Sequence, residues 1–293
     1  MIKKINTKNL STTIISFQKF FFKRISFKEM KLYNDYLIKF YKKKTINNIL
    51  SFNFDKKRKI SFSLFKNKKN NIHGVLNYNE HILCLLFRYI YDIHNYKKIA
   101  DIGSNLGFHT VFLDKIGYKV DSYEPDPNTF KLLKKNIQKN RCAMPKLYNL
   151  AVYNKKGILN FTRVVDHLMA SHITGNKTSY GSLEYIKVKT INIRSIIKKY
   201  DLIKLDVEGS ESKIISELKN KDLKNKEIIC EITDFKNQKI VFDHCKKNKI
   251  LIFSSKINWC IVKKYSQMPI NHNQGFIVLS LNKYFFKNIK QKL

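Results

Sequence analysis

Carboxylates set where a buried strand gives way to a turn are the residues of this chain best suited to chemistry. In Asp201-Leu-Ile-Lys-Leu-Asp-Val-Glu-Gly209, Lys204 and Asp206 interrupt an apolar run. Strand alternation puts both on one face, and Glu208 follows at the carboxyl end. Ligands bind at such ends of a parallel sheet, so Asp206 and Glu208 are expected to face a substrate. A carboxylate there can orient a hydroxyl or take its proton. The opposing account is a buried Lys204–Asp206 ion pair, with Glu211 complementing the dipole of a helix that starts near Ser210. Glu231, in Ile228-Ile-Cys-Glu-Ile-Thr233, is a candidate to join Asp206 as a carboxylate pair or metal site. Hard cations need several oxygens, and no D-x-D or histidine pair accompanies these two, so no metal ligand is assigned. His109 reads as a packing residue of a helix. His167 and His172 lie in a long loop, as candidate base or acceptor contacts against the commoner solvated role.

A second set of residues lies within 97–125. An apolar run at 99–102 carries Asp101 and breaks into Gly103-Ser104-Asn105-Leu106-Gly107. A helical pattern (Phe108, Val111, Phe112, Ile116) closes at Gly117, and a second strand, 118–123, ends on Glu124. Strand, glycine turn, helix and strand ending in a carboxylate is half of a nucleotide-binding α/β fold. A dinucleotide pyrophosphate needs G-x-G-x-x-G, whereas the spacing here is G-x-x-x-G with Asp101 just ahead of it. That carboxylate would repel a pyrophosphate and suits an amine-bearing ligand, such as the amino-acid end of S-adenosylmethionine (SAM). Glu124 is placed to accept hydrogen bonds from a ribose diol. The alternative is a tight turn with a satisfied aspartate and a surface glutamate.

Positioning these groups takes a sheet with helices on both faces. A helix is expected at 81–93, where Ile82, Leu85, Leu86, Tyr89 and Ile90 share one face, and another from Pro127 to about Lys139. Strands are expected at 146–153, 158–163, 186–191, 201–207, 227–233, 250–253 and 275–281, and helices at 193–200, 210–218 and 239–246. This alternation predicts an α/β fold with a mostly parallel sheet, the direction of the late strands staying open. Residues 164–184 lack periodicity and are long for a connection, as lids and specificity loops are. Residues 1–60 read as amphipathic helix and loop, and 59–65 as a strand. Phe17, Phe20, Phe21 and Phe22, among Lys19, Lys23 and Arg24, suit a helical cap packed on the domain, with peripheral membrane contact through this basic region as the alternative. The Lys/Asn tract 66–71 reads as a surface loop. The expected division is an N-terminal appendage, 1–72, and a SAM-binding domain, 73–293.

Composition narrows the partners. With 43% hydrophobic residues among 293, the chain can bury a full core. Its formal charge of +35 invites a polyanion reading. Yet arginine occurs only at Arg24, Arg58, Arg88, Arg141, Arg163 and Arg194, and base readers lean on its planar fork. A lysine-rich solvated surface is the preferred account. Cys84, Cys142, Cys230, Cys245 and Cys260 are odd in number and show no CxxC spacing, which argues for a reducing, cytoplasmic setting. No apolar run approaches the roughly 18 residues that span a bilayer, and no small-residue cleavage site follows the short apolar stretch at 14–17.

Four segments carry a family likeness: Asp101-Ile-Gly-Ser-Asn-Leu-Gly-Phe-His-Thr110, Tyr123-Glu-Pro-Asp-Pro127, Asn149-Leu-Ala-Val152 and Lys204-Leu-Asp-Val-Glu-Gly-Ser-Glu211. In this order and spacing the chain resembles the FkbM family of SAM-dependent methyltransferases, from about 74 to 233. The resemblance implies a class I methyltransferase (Rossmann-like) fold and, as in many members, O-methylation of sugars or secondary metabolites. It implies that Asp101, Gly103, Ser104 (where alanine is common), Asn105, Gly107 and Glu124 bind cofactor, with Asn149, Ala151 and Val152 lining its adenine side. Asp206, Glu208 and Lys204 then form the candidate catalytic set. Asp206-Val-Glu-Gly209 lacks the Asn/Asp-Pro-Pro-aromatic arrangement that takes amino protons and stacks planar bases, which favours a hydroxyl acceptor over a nucleic-acid nitrogen. The expected activity is methyl transfer to a hydroxyl of a sugar, glycan, glycolipid or secondary metabolite. The alternatives are RNA methylation and a non-catalytic lysine-rich polyanion- or membrane-binding module on this scaffold.

Overall fold

The computed structural model describes residues 8–23, 26–64, 76–143, 145–165 and 167–291, so the 66–71 tract lies outside the described residues. Two helices, α1 (Leu10–Ser16) and α2 (Phe27–Lys42), lead into an antiparallel sheet of β1 (Thr45–Ile46), β2 (Ile49–Asn53) and β3 (Lys59–Ser63). Both helices open on reciprocal caps, Asn9 with Thr12 and Ser26 with Glu29, which satisfy N–H groups that a helix start leaves over. Helix α3 (Tyr78–His94) begins ahead of its apolar spacing because Asn77 caps it, accepting from the Glu80 N–H. Then come β4 (Lys98–Ile102), α4 (Phe108–Ile116), β5 (Lys119–Tyr123), α5 (Pro127–Lys139) and β6 (Lys146–Tyr148), the half-fold expected from the glycine turn.

The 146–153 segment is not one strand. After β6, the Asn149 side chain bonds the Glu124 and Pro125 carbonyls, and the chain leaves the main sheet there. It builds a separate four-stranded sheet from β7 (Ala151–Tyr153), β8 (Gly157–Val164), β9 (His172–Ile173) and β10 (Leu183–Asn192), in the order β7-β10-β8-β9. The chain returns through α6 (Ile193–Ile196), β11 (Leu202–Leu205), α7 (Glu211–Ile215), β12 (Glu227–Glu231), α8 (Phe235–Lys247), β13 (Leu251–Ser254), β14 (Cys260–Ile261), β15 (Phe276–Ser280) and α9 (Phe285–Gln291). The main sheet runs β14-β13-β15-β12-β11-β4-β5-β6. From β12 to β6 every pairing is parallel, while β15 is antiparallel to both its neighbours, which closes the question of the late strands. Strand order reverses between β4 and β11, and the crevice beyond their carboxyl ends is where such sheets bind ligands.

One apolar core lies on each face of the sheet. The first joins α3, α4, α5 and α9 to the appendage, and the second joins α7 and α8 to the small sheet. The aromatic side of the appendage is packed inside the first. Phe17 meets Tyr78 edge-on at 5.5 Å, and Phe21 stacks on Trp259 at 5.4 Å. Both rings are buried, which contributes about 1.5–3 kcal/mol each. The appendage is also stitched to the domain by amides. Asn140 accepts from the Ser61 N–H and donates to the Ser61 carbonyl (2.8 and 2.7 Å), and Asn136 does the same with Ser63 (2.7 and 3.2 Å). Asn136 also donates to the Leu106 carbonyl, at 2.8 Å, inside the glycine turn. No described helix is long and apolar enough to cross a membrane.

Candidate active site

The glycine turn is shaped by close contacts. Gly103 sits at φ +76, its N–H and that of Ser104 donating to the Tyr123 carbonyl at 3.0 and 3.1 Å. A Cβ there would lie 1.7 Å from the Asp206 carbonyl oxygen, so only glycine lets the turn rest against the end of β11. The turn then aims the Asn105 N–H at Glu124 Oε2 (2.9 Å), while the Asp126 N–H reaches Oε1 (2.9 Å). Asp126 itself caps α5 and is gripped by the Arg163 fork, Nε to Oδ2 at 2.6 Å and Nη2 to Oδ1 at 2.8 Å. Glu124 is thus held from both of its flanks. Burial pushes its carboxyl up to about 8, against the opposing pull of the two backbone donors.

Between these turns lies a cleft that encloses about 970 Å³ of space when its open, solvent-filled mouth is included. One end is apolar, walled by Leu150, Ala151, Val152, Phe161 and Ile173, with Glu124 beside it. The other end is polar, formed by Glu80, His109, Lys204, Asp206 and Glu208. Gly103, Ser104 and Asn105 lie on the wall between, whereas Asp101, Gly107 and Asn149 do not line the cleft. Asp101 is fully buried, where Thr110 Oγ1 donates to it at 2.7 Å and Lys204 Nζ stands 3.4 Å away. Lys204 Nζ is also 3.2 Å from Asp206 Oδ2. Burial disfavours its charge, but Asp206 and then Asp101 more than offset this and hold the ammonium. Asp206 belongs to that ion pair and also opens to the cleft, its side chain 28% exposed against 4% for Lys204.

Glu208 has a left-handed backbone, φ +52, and an ion pair with Lys177 from the 164–184 loop. Burial pushes its carboxyl up, and Lys177 opposes this. The loop is seated on this turn through Asn176, which donates to Ser210 Oγ and accepts from Lys213 Nζ, both at 2.7 Å. Its Met169, Ser171 and Ile173 complete the cleft wall. The loop histidines stay within the loop: His172 bonds Ala170 and Ser179, and His167 bonds Tyr180, and neither lines the cleft. Glu211 is buried beneath, accepting the Gly209 N–H at 3.0 Å. His109, read as a packing residue, instead meets Glu80 across the polar end, Nε2 to Oε2 at 2.8 Å. Both stand in the first turns of their helices, α3 and α4, a position that could have marked them in the sequence. Among the described residues, no group of three or more His, Cys, Asp or Glu side chains is arranged to hold a metal ion.

Residues 101–251, half of the chain, match the Methyltransferase FkbM domain. No curated protein matches the sequence. Similar solved structures include the ribosomal protein L11 methylase of Lactobacillus delbrueckii subsp. bulgaricus, 14% identical over 68% of this chain and 75% of that one, with a TM-score of 0.37. Another is the precorrin-6y C5,15-methyltransferase of Geobacter metallireducens GS-15, 9% identical over 65% and 77%, TM-score 0.37. A third is the Pyrococcus abyssi tRNA (uracil-54, C5)-methyltransferase in complex with S-adenosyl-L-homocysteine, 11% identical over 80% and 44%, TM-score 0.40. The family match spans the glycine turn, the Glu124 turn and the β11 carboxylates together. On this match over half of its length and the mostly parallel sheet that carries it, the chain belongs to the FkbM family and is a SAM-dependent methyltransferase of the class I fold.

Proposed function

We propose that this methyltransferase acts on a hydroxyl group of a sugar, glycan, glycolipid or secondary metabolite. The observation that supports this most is the Asp206 carboxylate, open to the cleft and fixed from behind by buried Lys204. SAM supplies an electrophilic methyl group for in-line displacement. In this reading Glu124 accepts the ribose hydroxyls, and Ala151 and Val152, with Leu150 and Phe161, flank the adenine. The backbone of Gly103, Ser104 and Asn105 meets the amino-acid end. Asp101 acts through Lys204 and Thr110, while Gly107 and Asn149 shape the two turns. Asp206 orients the acceptor hydroxyl and takes its proton, Lys204 fixes the direction of Asp206, and Glu208 bounds the acceptor side under Lys177. Such alignment can supply on the order of several kcal/mol of the barrier. Carboxylate acceptors also form the stronger, charge-assisted hydrogen bonds that a polyol can engage.

The test is incorporation of labelled methyl from SAM into a panel of methyl hexosides, short oligosaccharides and RNA. The expected product is an alkali-stable methyl ether on a sugar. Asp206→Asn should keep SAM binding by calorimetry and lose about a hundredfold or more of turnover. Label found in RNA and in no glycan would overturn the reading.

A further inference from the structure

The strand next to Asp206 also ends on a carboxylate, one without an assigned role. β11 and β12 are parallel and in register through Leu205 and Cys230. Asp206 and Glu231 therefore follow at the same end of neighbouring strands, whose backbones run about 5 Å apart. Glu231 is only 8% exposed. Among the described residues its carboxylate has no hydrogen-bond or ion-pair partner, and it stands just outside the lining of the cleft, one strand along from Asp206. Every carboxylate around it is engaged: Glu80 with His109, Asp206 with Lys204, Glu208 with Lys177, and Glu211 with the Gly209 N–H. Buried polar side chains almost always have partners, so one left unpaired on the strand beside Asp206 points to a ligand that reaches past Asp206. Glu80 from α3, Asp206 and Glu208 from the β11 end, and Glu211 from α7 all face it with negative charge, and Lys177 faces it from the loop. Burial first, then Asp206, holds its carboxyl well above the usual carboxylate range, which favours the protonated acid.

We propose that Glu231 binds the methyl acceptor, gripping the hydroxyl adjacent to the one that Asp206 orients, so that the acceptor of this enzyme is a vicinal diol. The proposal rests on the hydroxyl-directed reading and deepens it. A carboxylic acid both donates and accepts, which matches a hydroxyl, whereas Asp206 acts purely as an acceptor. Neighbouring ring hydroxyls are close enough for side chains on neighbouring strands to take one each.

The experiment uses the methyl hexoside that accepts best and its analogue lacking the hydroxyl next to the methylated one, with wild type, Glu231→Gln and Glu231→Leu. Calorimetry with SAM confirms that each variant is folded. Removing the second hydroxyl should cost wild type about tenfold in kcat/KM. Glu231→Gln, which still donates and accepts, should keep most activity and the wild-type pH profile. Glu231→Leu should lose about tenfold on the diol, chiefly in KM, and no longer distinguish the two acceptors. Effects of Glu231→Leu and of deoxygenation that simply multiply would overturn the proposal, as would a Glu231→Gln variant as impaired as Glu231→Leu. Both results leave hydroxyl transfer standing. Methylation by wild type of a non-hydroxyl acceptor only would overturn the two readings together.

Discussion

Alanine at position 103 would place its Cβ 1.7 Å from the carbonyl oxygen of Asp206 and 2.9 Å from the carbonyl carbon, backbone atoms that no rotamer change can move. The φ of +76 adds strain for any residue with a Cβ, about 1–2 kcal/mol. Overpacking of a filled site adds about 1–3 kcal/mol. The combined loss, about 2–5 kcal/mol, is a large part of an ordinary stability of about 5–15 kcal/mol. Relief requires moving either the end of β11, with Asp206, or the turn that aims the Asn105 N–H at Glu124. The folded fraction of Gly103→Ala should therefore also bind SAM about tenfold or more weakly. Urea unfolding followed by circular dichroism gives the first quantity, and calorimetry the second. Ser104→Ala serves as the control, because it removes one hydroxyl bond to the Tyr123 carbonyl and should cost only about 1 kcal/mol. Gly103→Ala with stability within about 0.5 kcal/mol of wild type and unchanged SAM affinity would refute the packing argument.

Lys204→Met should destabilise the fold by about 3–5 kcal/mol, since it strips buried Asp101 of its cation. Adding Asp101→Asn should recover part of that loss in a double-mutant cycle of denaturation energies, and strict additivity would count against the coupling. Glu124, held up to about 8 by burial, binds its proton more tightly in the folded chain than in the unfolded one, where 4.5 applies. Its stabilising contribution is complete below pH 4.5 and lost as pH rises through 8, so ligand-free Tm should fall across that window. Glu211 and Glu227, each held up to about 7 by burial, add to the fall below 7. Glu124→Gln should flatten the upper part of the curve and weaken SAM binding, and an unchanged Tm profile would refute the assignment. Arg163→Lys exchanges a two-pronged grip on Asp126 for a single point, so calorimetry should show several-fold weaker SAM binding with little change in kcat.

The half-fold at 97–125 was legible because its determinants are local: a glycine at each bend, apolar spacing in α4, and a carboxylate at the end of β5. The small sheet was not. Residues 158–163 and 186–191 read as strands, but that does not name their partner, and β8 and β10 pair with each other rather than joining the main sheet. The β1–β2 hairpin was read as loop, although Asn47 and Asn48, at φ 49 and 58, are the residue types that favour a primed turn. In the candidate site, Glu124, Asp206 and Glu208 were singled out from type and position, and all three line the cleft. Asp101 and Gly103, expected at the cofactor, have packing reasons for their residue types. Asp101 is buried against Thr110 and Lys204, and Gly103 accommodates the Asp206 peptide. The Glu80–His109 contact joins the first turns of the successive helices α3 and α4; each position was readable alone, but their pairing depends on how the two helices pack.

The amides of Asn136 and Asn140 bear on how the chain avoids pairing with other copies of itself. An amide side chain imitates a peptide group, and a four-residue step along a helix, about 6.0 Å, nearly matches a two-residue step along a strand, about 6.8 Å. Helix α5 and its cap thereby occupy the place of a further strand beside Ser61 and Ser63. The outer rim of β3, which would otherwise be a template for aggregation, is shut from within. Because the same Asn136 amide also holds Leu106, loss of this guard would be felt in the cofactor cleft as well as in the protein's tendency to form cross-β assemblies.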